Sequence, residues 1–314
     1  MKINTNKQRI IISLLMLIAF LTLILINYKV FFIEDRFVYI TLVLTILSSI
    51  ISSALFAIKI ESNIKTSKYI TIISFILSIV FSYIIIELLN QVTPFSLYLK
   101  RLVFNFIVII FLHLFIYAIC NKFSISILIS NLIIFILGTI NYVVVSFRGT
   151  PFVPWDILSI ETAAHVVGTY SFKFNYYFLL ATALFFLIVS MGFKANYKFK
   201  NTKSNVILRI VIILTIISST LVFYNTDIIK YFDFENNFWR PIDEYSNNGF
   251  LASFIKQSKN LVNSKPENYS IQSIENILSQ LDTKNIFSNE KPNIIVIMNE
   301  SYCDLSVNRQ IKYF

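Results

Sequence analysis

Residues 37–58 read FVYITLVLTILSSIISSALFAI, twenty-two residues without one charged side chain. A bilayer core takes roughly 20 apolar residues in helical form, so this stretch is long enough to cross one. Working outward, six more runs share its character: Ile10–Ile26, Tyr69–Leu89, Leu102–Cys120, Phe123–Val145, Tyr176–Phe193 and Val206–Phe223. Seven crossings are expected, forming an all-α polytopic membrane domain over residues 1–223. Lys2, Lys7 and Arg9 precede the first run, as in a signal peptide. The residues after it, Asn27, Tyr28 and Lys29, offer no small-residue cleavage site, so it reads as an uncleaved helix.

Composition agrees. Of 314 residues, 56% are hydrophobic and 14% charged, where a soluble domain carries about 25% charged. The net charge is +10, but the basic residues lie in short loops between apolar runs. That is membrane-topology chemistry; no clustered basic face suggests a nucleic-acid partner. With the N-terminus inside, the inner segments hold twelve Lys and Arg: Lys2, Lys7, Arg9, Lys59, Lys65, Lys68, Lys122, Lys194, Lys198, Lys200, Lys203 and Arg209. The outer loops before the tail hold six: Lys29, Arg36, Lys100, Arg101, Arg148 and Lys173. The bias predicts a multi-pass protein of the plasma membrane, with a cytoplasmic N-terminus and an extracytoplasmic tail from about Tyr224. The weakest step is the turn at Asn121 and Lys122, which is either a tight hairpin or a misplaced boundary. Cys120 and Cys303 fall on opposite sides in this topology, which argues against a disulfide.

Within the apolar runs, Glu87 and His113 stand out, because ionisable groups in a bilayer are functional candidates by default. Glu87 lies near a helix end and is expected to reach interfacial water. His113 needs only one interhelical hydrogen bond, and Asn105, Asn131 and Asn141 read likewise as interhelical contacts. A structural role is favoured for all five. The loop Ser146–Asn175 contains turn formers beside aromatics, with Asp156 placed to cap a helix carrying Ile157, Leu158, Ile160 and Ala164. It reads first as an interfacial helix anchored by Trp155, and second as a docking or headgroup surface.

The tail divides into a linker with amphipathic helices, residues 224–290, and a final segment, 291–314. Phe250, Leu251, Phe254 and Ile255 form a short amphipathic stretch for the membrane surface or the underside of a later domain. Ser270 is expected to cap a helix whose Ile271, Ile274, Ile277, Leu278 and Leu281 share a face. Lys291-Pro292 then leads into Asn293–Met298, a β-branched apolar run that reads as a buried parallel strand. Asn299, Glu300, Ser301, Tyr302, Cys303 and Asp304 follow at its carboxyl end, where open α/β sheets bind ligands. A carboxylate there suits a hard divalent cation; the bland alternatives for Glu300 are a solvated residue or a helix cap. Ser301 and Cys303 have no His nearby in sequence to act as base, which argues against a nucleophile role.

The run Lys291–Ser301 resembles the opening of the sulfatase-type catalytic domain in the lipoteichoic acid synthase family, within the alkaline phosphatase superfamily. Phe147-Arg148-Gly149-Thr150-Pro151 with Trp155-Asp156 resembles that family's outer loop. Asn248-Gly249-Phe250-Leu251 and Lys265–Ser270 resemble its approach to the catalytic strand. The resemblance implies an extracytoplasmic α/β domain that transfers glycerol phosphate from phosphatidylglycerol to a glycerol-phosphate polymer or glycolipid acceptor. It implies a divalent metal, usually Mn²⁺, with Glu300 as the first ligand and a Thr nucleophile. In the family, that Thr and the later Asp and His ligands lie well downstream of this strand, whereas the sequence ends at Phe314. The same strand motif opens the domains of relatives that transfer phosphoethanolamine or hydrolyse sulfate esters, so the resemblance implies a phosphoglycerol transferase or a sulfatase-type hydrolase, and the expectation is a truncated catalytic domain without turnover. The alternative is a non-enzymatic transporter or accessory scaffold resting on Glu87 and His113.

Overall fold

A computed structural model of the chain describes residues 2–33, 36–61, 63–159, 173–199, 202–237, 239–261, 269–280 and 295–296. It forms two compact units, Met1–Asn263 and Ser264–Phe314.

In the first unit every apolar run lies on a helix: α1 Lys7–Ile26, α2 Tyr39–Ala57, α3 Ile64–Leu89, α4 Leu99–Cys120, α5 Phe123–Arg148, α6 Tyr176–Gly192 and α7 Thr202–Asn225. All but α6 are long and apolar enough to cross a membrane. The protein is a membrane-spanning helical bundle, with six such helices among the described residues where the sequence predicts seven crossings. The difference is α6, whose 17 residues span roughly 26 Å at 1.5 Å per residue.

Asparagine side chains cap the starts of α1, α3 and α6. Asn63 accepts the Thr66 N–H at 2.9 Å, so α3 begins at Ile64 rather than Tyr69. Asn175 accepts the Phe178 N–H at 2.9 Å and opens α6.

The helix faces are inverted relative to a soluble protein. Helix α2 buries Thr45, Ser48, Ser49, Ser52 and Ser53 and exposes Ile40, Leu44, Leu47 and Ile51. The first half of α3 likewise buries Thr71, Ser74 and Ser78. In water that pattern would leave the apolar face unpaid by burial; in lipid it is the favourable one. Small hydroxyl residues let backbones approach and bond across helices, as Ser52 and Ser190 do at 3.1 Å.

The turn at Asn121 is a tight hairpin. Asn121 ends α4 in the left-handed region (φ 54°), with its N–H on the Tyr117 carbonyl at 2.8 Å, and α5 begins two residues later. Asn tolerates this conformation better than most residues. Tyr117 stacks on Phe123 at 4.2 Å, and Asn205 of α7 donates to the Asn121 side chain at 2.6 Å.

Two small antiparallel pairs complete the bundle: β1 (Lys2–Thr5) with β4 (Ile58–Glu61), and β2 (Phe32–Ile33) with β3 (Arg36–Phe37). The first ties the start of α1 to the end of α2.

Residues 224–261 belong to this unit and are not a separate linker. They form α8 (Ile228–Tyr231), α9 (Pro241–Asn248) and α10 (Phe250–Ser258). Phe250 and Leu251 enter the same apolar core as Tyr83, Leu89, Leu97 and Phe152. The amphipathic stretch packs on the bundle itself.

The second unit contains α11 (Ile271–Gln280), whose first turn is capped by the Ser270 hydroxyl accepting the Ser273 N–H at 3.1 Å. Leu281 lies outside the described residues. Of the expected strand 293–298 only Ile295 and Val296 are described. They form no regular element and are exposed, so the expected α/β domain is not seen. A parallel strand needs neighbours on both edges and cover on both faces.

Candidate functional site

The main concentration of buried polar groups lies where α3, α4 and α5 meet α9 and α10. Glu87, near the end of α3, is fully buried and does not reach interfacial water. One carboxylate oxygen accepts the Phe250 N–H at 3.0 Å and the other accepts from the Asn90 amide at 3.3 Å. The Asn90 amide also donates to the Tyr245 carbonyl at 3.2 Å, and its oxygen accepts from Asn141 at 3.1 Å.

Asn105, nearly two turns into α4, grips the same segment. Its amide donates to the Asn248 carbonyl at 2.8 Å, and its oxygen accepts the Ala252 N–H at 3.0 Å. Helix α10 therefore has two of its opening N–H groups capped by side chains from other helices. These are donors that a helix start leaves unsatisfied, and a carboxylate also favours the positive end of the helix dipole. Gly249 makes this approach possible. It sits at φ 86°, and a Cβ there would lie 2.6 Å from the Asn105 amide nitrogen and 2.9 Å from Leu97.

Arg101 lies beneath residues 233–248. Its guanidinium donates to the Asp233 carbonyl at 2.8 Å and, at 3.1 Å each, to the Asn247 carbonyl and the Glu235 carboxylate. The amide of Asn247, then Arg101, hold Glu235 below the usual carboxylate range against a smaller opposing effect of burial. Above it, Lys256 and Glu244 form a buried ion pair at 3.0 Å.

The loop after α5 joins the same assembly. Arg148 grips Asp156 through two bonds of 2.9 and 2.7 Å and donates to the Pro151 carbonyl. Asp156 lies within a 3-10 helix, Pro154–Ser159, and accepts the N–H of Val153 at 3.0 Å, which closes the preceding loop. Residues 160–172, including Ile160 and Ala164 of the expected interfacial helix, lie outside the described residues. Asn141 accepts the Phe152 N–H at 2.9 Å, and the Tyr245 hydroxyl donates to the Phe152 carbonyl at 3.1 Å. Phe152 stacks on Phe254 at 5.6 Å. The segments Phe147–Asp156 and Asn248–Leu251, distant in sequence, thus pack together on one end of the bundle.

His113 belongs to a separate network inside the bundle. The Ile109 carbonyl, 2.9 Å away, assigns the ring proton to Nδ1, which leaves Nε2 to accept from the Ser78 hydroxyl at 2.7 Å. The Asn131 amide donates to Ser78 at 2.7 Å, and Ser82 donates to the Asn131 oxygen at 2.9 Å. Three helices are tied by a chain in which each group serves its neighbour, a structural role for His113 and Asn131.

Glu300, Ser301 and Cys303 lie outside the described residues, as does the rest of the expected metal motif. Among the described residues no three His, Cys, Asp or Glu side chains converge, so the divalent-cation expectation rests on Glu300 alone. No family model, curated protein or solved structure matches the chain.

Asn90, Arg101, Glu244, Tyr245 and Lys256 had no distinguishing signal in the sequence. Arg101 read as a loop charge; its adjacency to an apolar run and the acids of the tail were the only hints of a buried partner.

Proposed function

We propose that this chain is the membrane module of a phosphoglycerol transferase of the lipoteichoic acid synthase type. Its donor is phosphatidylglycerol and its acceptor a glycerol-phosphate polymer or glycolipid. In this reading α6 is the seventh crossing, at the short end of the spanning range of about 17–25 residues, and the chain after α7 is extracytoplasmic. Residues from Lys291 open a sulfatase-like α/β domain, with Glu300 a ligand of a divalent metal such as Mn²⁺.

The observation that carries the proposal is the packing of Phe147–Asp156 against Asn248–Leu251. These are two of the segments that resemble the family: Phe152 and Val153 of the first share one apolar core with Phe250 and Leu251 of the second, and Tyr245 and Phe254, which flank the second, contact Phe152, although the segments are about 100 residues apart in sequence. A rigid joint there sets the direction in which the chain leaves the membrane, which an anchored enzyme needs in order to face lipid headgroups. The transporter alternative would use Glu87 and His113 as carriers. Their full engagement with Phe250, Asn90, Ser78 and Ile109 favours a structural role instead.

The transfer releases diacylglycerol as glycerol phosphate passes to an acceptor hydroxyl. Membranes from cells with and without the gene, given fluorescent phosphatidylglycerol and Mn²⁺, test it. Loss of fluorescent diacylglycerol on deletion, restored by the intact locus, is expected. Undiminished product after deletion refutes the proposal.

A further inference from the structure

At the end of α3 opposite Glu87, a pocket of about 370 Å³ opens between the start of α1, β4 and the turn after α6. Arg9, Lys59 and Lys194 line it, together with Asn196, Ile60 and an apolar wall of Phe56 and Phe193. The two rings meet edge to face at 6.1 Å. Among the described residues, no carboxylate lines the pocket.

Topology alone asks that basic residues lie on one side of the membrane; it does not ask three of them to share one cavity, where like charges repel. Lys194 has a local reason to be there. Its ammonium donates to the Ile58 carbonyl just past α2, where helix carbonyls favour a cation. Lys59 too has an interaction of its own, whereas the Arg9 guanidinium makes no hydrogen bond or ion pair among the described residues. Burial, and then the charge of Arg9, hold the Lys194 ammonium below the ordinary lysine range.

We propose that this pocket binds a phosphate ester anion, supplied by the headgroup of an anionic membrane phospholipid. Arg9 offers the planar fork that fits phosphate oxygens, and Lys59 and Lys194 act as point charges. The Phe56–Phe193 wall adjoins the ends of α2 and α6, where a headgroup meets its acyl chains. Basic pockets between membrane helices commonly hold such headgroups. The site is independent of the transferase reading, since it uses none of the residues at the α9–α10 joint.

The test uses the full chain in nanodiscs of equal phosphatidylglycerol and phosphatidylcholine, extracted into detergent, with retained lipid counted by native mass spectrometry. In parallel, equilibrium dialysis of lipid-stripped chain measures inorganic phosphate. About fivefold preferential retention of phosphatidylglycerol is expected, falling about fivefold in Arg9→Gln and again in Lys59→Gln, as roughly one basic contact each implies. Arg9→Gln should leave the thermal midpoint unchanged, whereas Lys194→Gln should lower it because the Ile58 contact is lost too. Phosphate binding that needs Arg9, without lipid preference, keeps the anion site but assigns it a soluble ligand. No lipid preference together with no phosphate binding overturns the proposal, as does binding indifferent to both Arg9→Gln and Lys59→Gln.

Discussion

The carboxylate of Glu87 on α3 accepts the backbone N–H of Phe250 on α10 at 3.0 Å, across 163 residues of chain. An ionisable group within a membrane helix is thus spent on positioning the segment that leaves the bundle. Glu87→Gln keeps an oxygen for that N–H and should change stability little. Glu87→Leu orphans a buried donor and should cost about 1–3 kcal/mol. Amide hydrogen exchange at Phe250 distinguishes them: fast exchange is expected in the Leu variant and near-native protection in Gln. Equal protection in both would show that the carboxylate does not hold the helix.

Gly249 is where α10 comes closest to α4. A Cβ there meets Asn105 and Leu97 below 3 Å at a positive φ, so Gly249→Ala should destabilise the joint by about 1–3 kcal/mol. Limited proteolysis near Arg240 and Lys256 reads this directly. Cleavage no faster than in the parent would contradict the expectation.

The Lys256–Glu244 pair is almost wholly removed from solvent, with side chains 8% and 2% exposed. Among the described residues, Lys256→Met leaves the Glu244 carboxylate with the Gln257 and Asn237 donors. A loss of about 3–5 kcal/mol follows from an uncompensated buried charge. The double variant with Glu244→Leu should regain most of it. A thermal melt of both variants checks the pattern, and an equally unstable double variant would refute it.

Asp156 gives a pH signature. Burial raises its pKa, but the hydrogen bond and charge of Arg148 and the Val153 N–H outweigh that and hold it below the usual range. A depressed folded pKa stabilises above the unfolded value of about 3.9. That contribution is lost as pH falls through the folded value. In a Trp239→Phe background, Trp155 emission should stay constant from neutral pH to about 4 and shift below it. Asp156→Asn should show the acid form at every pH. An unchanged profile in that variant would place the transition elsewhere.

Interior networks were legible only as residue types. His113 and Asn131 read as interhelical contacts, and the Ser78–His113–Asn131–Ser82 chain bears this out. Glu87 read as interfacial because Asn90 follows so soon in sequence. It is buried because residues 241–258 fold back over that helix end, a long-range event with no local pattern. Arg101 was counted as an exposed topology charge for the same reason.

The apolar runs by themselves determined that this chain is a membrane-spanning helical protein. A backbone in lipid must satisfy its own hydrogen bonds, so length and hydropathy almost dictate a helix. Helix ends were legible to within a few residues, because each apolar run occupies most of its helix; the cap at Asn63, which starts α3 five residues before its run, was not. Only the tertiary structure decided that residues 224–261 belong to the bundle. It also brought Glu87, Asn105 and Arg101 together around α9 and α10, and gathered Arg9, Lys59 and Lys194 about one pocket. Those arrangements depend on which side chains meet across distant helices, and hydrophobic periodicity carries no record of that.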